Sequence, residues 1–237
     1  MEIDGIVIEL IPIKEEDAMI RMLSSTGIVS FFGRRVMNQK NTYFAPMQPF
    51  AKSHVWLGEG PQGGLMLKQA RLITYMAQNY QTLYQFALLD LIKETLAQLA
   101  PTDDYEALYS LVESTLKLTD YSQQAPLAAL IYLHQLLTIL GWGLELSGCI
   151  ACNTKTDIVG IDLSLGGFVC RKHYRTTDSL ALSHDQLTIV AMLRNVDITK
   201  LKIAEYNIAT VKAIIMIMGQ HYENMTGYSL KSLKLFK

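Results

Sequence analysis

The sequence predicts an α+β chain in which a small five-stranded barrel precedes a helical region interrupted by a metal-binding segment. Three observations carry this. Apolar residues alternate with a period of two up to about residue 75. From residue 80 onward they recur at i, i+3, i+4 and i+7. All three cysteines fall in one short stretch where the helical pattern stops.

In the first part, Ile6, Ile8 and Leu10 alternate with Val7, Glu9 and Ile11, giving a first strand that ends at the polar break 14–17. Residues 18–23 form a second strand, with Arg21 on the face opposite Ile20 and Met22. A turn at 24–27 leads into a third strand over 27–33, containing Val29, Phe31 and Phe32. After the polar loop 34–42, residues 47–57 and 65–75 are further β-like runs, separated by the glycine-rich turn 58–64. Short strands with turn signals at this spacing make a small closed or nearly closed barrel.

The helical stripes follow. Tyr80, Leu83, Tyr84, Ala87, Leu88 and Leu91 share one face, and Pro101 stops that helix. Asp103 with Glu106 resembles a capping box ahead of the stripe Tyr105, Leu108, Tyr109, Val112 and Leu116. Residues 126–146 read as one long apolar helix, Ser183 with Gln186 as a better capping box for a helix to about Leu193, and Ile208, Val211, Ile215 and Met218 as a last helix. The expected division is a barrel domain over 1–76 and a helical domain over 77–237, with the metal segment at 148–176.

Composition narrows the function. The chain has 237 residues, 50% hydrophobic and 18% charged, so it buries a core and is not a disordered tail. Lys and Arg number 21 against 22 acids, a net charge of -1, which excludes a generally basic nucleic-acid binder and leaves only a local patch. Three cysteines exclude a disulfide-stapled secreted scaffold. The N-terminus is acidic before it is apolar, unlike a signal peptide. The 126–146 stretch is long enough for a bilayer, but His134, Gln135, Trp142, Glu145 and two glycines mark a central bundle helix. A soluble, cytoplasmic protein with no membrane partner is expected.

The strongest motif is metal-binding. Cys149 and Cys152 are spaced C-x-x-C, and Cys170 and His173 are spaced C-x-x-H seventeen residues on. Two such knuckles supply four nitrogen and sulfur ligands to one tetrahedral ion, and their softness favours Zn²⁺. With every position filled by protein, the ion has no open site for water and is structural. No H-E-x-x-H or G-x-S-x-G occurs, and the 58–64 turn lacks a P-loop lysine. No enzyme is expected, and a zinc hydrolase would require an open ligand position.

A second feature is the stretch 33–52, which holds Arg34, Arg35, Lys40 and Lys52 and no carboxylate. Phe31, Phe32, Tyr43, Phe44 and Phe50 lie in or beside it. Cations that follow phosphates beside aromatics that stack on bases suit single-stranded nucleic acid. Core phenylalanines beside a solvated loop are the other reading of the same segment. Arg171, Lys172 and Arg175 make the second knuckle basic, and Lys231, Lys234 and Lys237 read as a solvated tail or an extended phosphate track. His134 reads as a satisfied core histidine.

These pieces in this order resemble the RecO family of bacterial recombination and repair mediators. The resemblance rests on the Glu16-Asp17 turn, Thr26-Gly27, Gly33-Arg34-Arg35, Gln48-Pro49-Phe50, Leu140-Gly141 with Leu144, the Cys149/Cys152 knuckle, Gly166-Gly167 and the Cys170/His173 knuckle. His173 stands where family members that hold zinc often have a fourth cysteine. Residues 37–41 carry one cation, Lys40, where the family loop usually has two. The resemblance implies an OB-fold barrel and a zinc-carrying helical domain. It also implies binding of single- and double-stranded DNA, strand annealing, and cooperation with RecR to displace single-strand-binding protein so that RecA loads. On this reading Arg34, Arg35, Lys40 and Lys52 contact phosphates, with Phe32 and Tyr43 as stacking candidates. The rival reading is a zinc-containing protein-interaction adaptor.

Overall fold

The computed structural model describes the chain except residues 61–62, 78–79, 100–103, 119–121, 197 and 199–204. Pro101 and Asp103, read above as a helix stop and a cap, lie outside the described residues. Strands β1 (Glu2–Pro12), β2 (Ala18–Ser24), β3 (Gly27–Gly33), β4 (Ala51–Glu59) and β5 (Leu65–Tyr75) close into a barrel in the order β1-β2-β3-β5-β4. Neighbours pair antiparallel except β3 and β5, which meet parallel at Phe32 and Met66. This is the Greek-key order of an OB fold. The barrel core holds Val7, Ala18, Ile20, Met22, Phe31, Val55, Leu57 and Leu67, completed by Val36 and Met47 from the β3–β4 connection; β2 alternates as read, whereas Ile6, Val7 and Ile8 of β1 are all buried beside a register shift between Val7 and Glu9. The fourth strand starts later than the apolar run suggests. Pro46 lacks a backbone donor, and residues Ala45–Met47 form a 3₁₀ turn instead of a ladder.

Helices are α1 (Leu83–Ala97), α2 (Tyr105–Leu118), α3 (Ala125–Ile139), α4 (His184–Leu193) and α5 (Ile208–Thr226). The chain divides into two compact units: residues 1–81 with 95–120, and residues 82–94 with 121–237. The barrel unit therefore takes in α2, which packs on β2. Asp104 caps α2, its carboxylate accepting from the Ala107 N–H at 2.9 Å.

One ion pair ties α2 to β4. The Lys52 ammonium meets the Glu113 carboxylate and lies 5.6 Å from the Tyr109 ring centre. Burial opposes the charge on Glu113, but the Lys52 and Lys117 ammonium groups outweigh it and lower its pKa from 4.5. The Glu113 hydrogen bond outweighs the burial of Lys52 and raises its pKa from 10.5. This stability is therefore complete above the ordinary carboxylate range and is lost as pH falls through Glu113's depressed pKa. On the alkaline side it is present below 10.5 and lost as pH rises through Lys52's raised pKa. Glu113→Gln should cost about 1–2 kcal/mol at neutral pH, between exposed and buried pairs. Urea melts of both proteins should converge toward acid pH; a gap that persists there would contradict this origin.

In the second unit, α3 is buried along almost all of its length, including Leu127, Leu130, Tyr132, Leu133, Leu136 and Leu137. Each such side chain contributes about 1.5–3 kcal/mol. A helix apolar on all sides is a core helix. The structure shortens the expected 126–146 helix. It ends at Ile139, where Gly141 turns left-handed at φ 79° and the Trp142 N–H caps the Leu137 carbonyl at 2.7 Å. No helix among the described residues is long and apolar enough to cross a membrane. His134 is the core histidine expected: burial lowers its pKa, partly offset by its hydrogen bond to the Leu193 backbone. The Ser183–Gln186 capping box opens α4 as read.

Candidate functional site

The segment that breaks the helical pattern is a small antiparallel sheet where sequence showed only an irregular stretch. Strands β6 (Ile158–Asp162), β7 (Gly167–Cys170) and β8 (Ser179–Ala181) lie in the order β7-β6-β8. Buried Asp162 secures the β6–β7 turn. Its Oδ1 accepts from the Ser164 and Leu165 N–H groups, and its Oδ2 from the Ser179 hydroxyl. The pairing of Ile158 with Cys170 fixes the start of the second knuckle.

Each knuckle is a tight backbone turn. The Asn153 N–H donates to the Cys149 carbonyl at 2.7 Å, with Asn153 left-handed at φ 58°. The His173 and Tyr174 N–H groups donate to the Cys170 carbonyl, each at 2.9 Å. The Ile150 N–H donates to the Phe168 carbonyl at 2.8 Å and so joins the first knuckle to β7. Gly148 is required by space, since a Cβ there would stand 2.9 Å from the Thr154 oxygen.

These turns bring Cys149, Cys152, Cys170 and His173 together, with all four ligand atoms within 4.8 Å of one another. Cys149 Sγ lies 3.6 Å and Cys170 Sγ 3.3 Å from His173 Nδ1, and Cys152 Sγ lies 3.9 Å from Cys170 Sγ. A tetrahedral ion bonded at about 2.3 Å to sulfur and about 2.0 Å to nitrogen separates its ligands by about 3.8 Å for S···S and about 3.5 Å for S···N. These three distances lie near those separations, and the Cys152–Cys170 sulfurs are far from disulfide contact. Electrostatics agree. Burial opposes the Cys149 thiolate, but backbone hydrogen bonds from Cys170, Ala151 and Cys152 and the Cys170 thiol hold its pKa down to about 6. At Cys152 the Thr154 N–H favours the thiolate, but desolvation and the neighbouring Cys149 and Cys170 sulfurs push its pKa up. Several thiolates this close ionise together only around a cation. The residues present therefore fit a tetrahedral metal ion, which His173 would hold through Nδ1, the ring nitrogen that faces the sulfurs.

The barrel loop is organised by residues the sequence reading did not connect to it. Arg35 adopts φ 56°, its N–H donates to Asp17 Oδ1 at 2.8 Å, and its Nε donates to Glu16 Oε2 at 2.8 Å. The Asn38 amide donates to Glu16 Oε1. Asn41 donates its side-chain amide to the Arg35 carbonyl and accepts the Tyr43 N–H. The β1–β2 turn thus clamps the β3–β4 loop, and two asparagines shape the loop from inside.

The structure divides the expected contact residues. Arg34 and Lys40 are exposed and, among the described residues, make no ion pair. Arg35 is paired with Glu16 and Lys52 with Glu113, so half of the carboxylate-free rim is compensated from elsewhere in the chain. Phe31 and Phe50 are core, as the alternative reading of the segment had it. Phe32 and Tyr43 are half-buried. Tyr43 packs against the barrel core, and its hydroxyl donates to the Lys68 carbonyl at 3.1 Å. The exposed Lys68 ammonium itself turns to the Glu59 carbonyl at 3.2 Å, away from this contact. At the second knuckle, Arg171 pairs with Asp157 at 3.3 Å, while Lys172 and Arg175 are exposed.

The fold and site define an OB-barrel protein with a helical unit that carries a Cys₃His cluster able to hold a metal ion. Residues 80–234 match the family described as Recombination protein O C terminal, and the chain belongs to that family. The DNA repair protein RecO of Syntrophomonas wolfei subsp. wolfei is 23% identical over 195 residues, covering 80% of this chain and 76% of its own length. The DNA repair protein RecO of Bacillus cereus (strain AH187) is 21% identical over 239 residues, covering 100% of this chain and 96% of its own. The Bacillus anthracis protein of the same name matches equally.

Proposed function

We propose that this chain is a non-enzymatic mediator of DNA repair and recombination. It binds single- and double-stranded DNA, anneals complementary strands and, with RecR, helps load RecA onto DNA coated by single-strand-binding protein. It works in the cytoplasm, at the nucleoid. The observation that carries the reading is the preorganised loop on an OB barrel. Among the described residues Arg34 and Lys40 make no ion pair, and they stand on a backbone already held by Glu16, Asp17 and Asn41. A loop ordered in advance loses little entropy on meeting phosphates. Phosphate contacts of this kind position a strand without reading its bases, which suits a protein that must act on any sequence.

The metal in this reading is Zn²⁺, one per chain, held by Cys149, Cys152, Cys170 and His173. It supplies folding energy and no chemistry, because protein fills all four positions. Three thiolates around a dication leave the module one negative charge, which exposed Lys172 and Arg175 offset.

A second reading, the protein-interaction adaptor, is favoured by one observation. A cleft of about 350 Å³ beside the module is floored by Leu146, Ile158, Phe168 and Leu187, with Lys155 and Arg194 at its edge. Annealing of complementary oligonucleotides, followed by fluorescence transfer between end labels, separates the two. The mediator speeds annealing of naked and of protein-coated strands. An adaptor recruits partners and leaves annealing at its uncatalysed rate.

A further inference from the structure

We propose that Tyr228, Lys231, Lys234 and Lys237 form a second contact strip for single-stranded DNA, within the helical unit and separate from the barrel loop. The inference rests on the DNA-binding reading above and extends it to a second surface.

The sequence alone favours a solvated tail for these lysines. The backbone changes that. Lys231–Phe236 is a 3₁₀ helix, and the Lys237 N–H continues its pattern by donating to the Lys234 carbonyl. With three residues per turn, side chains at i and i+3 eclipse, and a rise of about 2.0 Å per residue spaces them by about 6 Å. Lys231, Lys234 and Lys237 therefore stand in one row, all exposed, while Ser232, Leu233 and Phe236 are buried on the other side. In an α-helix the same spacing would spiral away by about 60° per step. Tyr228, 55% exposed, lies three residues ahead of the row.

The strip is also held in place. The Glu94 carboxylate accepts from the Lys231 N–H at 2.7 Å and from the Ser232 N–H and hydroxyl at 2.8 and 2.7 Å. The Lys212 ammonium donates to the Lys237 carbonyl at 2.7 Å. Phe236 stacks on Tyr84 with ring centres 5.9 Å apart. Leu233 presses on Gly219 so closely that a Cβ there would lie 2.1 Å from Leu233 Cδ1. Glu94 is thus turned to the backbone and, among the described residues, forms no ion pair with the three lysine ammonium groups. Glu223 borders the same cleft as Lys234 and Lys237, but among the described residues forms no ion pair with them.

A rigid row of cations beside an exposed aromatic is the combination that tracks a strand's phosphates and stacks its bases. Stacking needs unpaired bases, so Tyr228 selects single strands, whereas the lysines serve either form.

The test uses the full chain. Lys231→Ala, Lys234→Ala and Lys237→Ala together should lower the slope of log affinity against log salt for single-stranded DNA by about 2, at about 0.7 per lost contact. Tyr228→Ala should weaken single-strand binding roughly 5- to 100-fold and leave duplex binding unchanged. The side chains are exposed, so thermal melting should match the parent and exclude misfolding. An unchanged slope in the triple variant, with the parent still binding, overturns the strip and leaves the barrel reading intact. A parent chain that binds no DNA at all overturns both.

Discussion

Replacing Cys170 with serine should empty the metal site and dissolve the sheet around it. Cys170 closes β7, faces Ile158 across the ladder, and carries the second knuckle on its carbonyl. The three strands have five, four and three residues. Sheets this short have too little apolar face to persist unaided. Binding free energy at structural zinc sites is folding free energy, with apparent values of about 10–16 kcal/mol in small zinc peptides. Loss of one of four ligands forfeits most of it. We expect the variant to retain less than about a tenth of the parent's bound metal, as whole-site loss implies. Amide exchange at Phe168, Cys170 and Tyr174 should rise to near-unprotected rates while α3 and the barrel strands stay protected. Chelation of the parent should reproduce the pattern, and metal affinity should fall at acid pH, as at any site whose ligands bind the ion deprotonated. Unchanged metal content in the variant would remove Cys170 from the ligand set.

The second large effect belongs to the barrel. Arg34→Ala with Lys40→Ala should weaken single-stranded DNA binding about tenfold or more at 0.1 M salt and lower the salt slope by about 1.4, with no change in sequence preference. Neither side chain takes part in an ion pair among the described residues, so the melting temperature should not move. Arg35→Ala differs in kind. It releases Glu16 and loosens the clamp that shapes the loop. Its effect should appear as a faster-exchanging loop together with a smaller affinity loss. Titrating fluorescent oligonucleotides at several salt concentrations, with amide exchange alongside, separates charge from shape.

What sequence made legible follows from the range of each signal. Strand β2 shows as a period-two run because its alternation is local and one face is buried, whereas β5 is marked only by the glycine-rich turn before it and its β-like composition, since Leu67 is its one buried residue. The Cys₃His cluster shows because knuckle spacing is local and thiolate chemistry is narrow. The capping box at Ser183 shows for the same reason. β4 begins late because an apolar run does not reveal that Pro46 and the left-handed Phe50 break the ladder. α3 ends early because leucines continue past Ile139, and only the left-handed Gly141 stops it. The β6–β8 sheet is hidden by strands shorter than any useful window. Charge compensation is the least visible of all. Glu16 and Glu113 stand 19 and 61 residues from the cations they neutralise, and no local count of charges sees them. The same distance hides Glu94 beneath the lysine row, 137 residues away.

The central claim is that this chain holds nucleic acid through cations left free on an ordered surface. The most direct test is equilibrium binding of a mixed-sequence single strand to the full chain between 50 and 200 mM salt. The account predicts a linear fall of log affinity with log salt, its slope made less steep by the Arg34/Lys40 double replacement. A flat response, or one that the double replacement leaves unaltered, would contradict it.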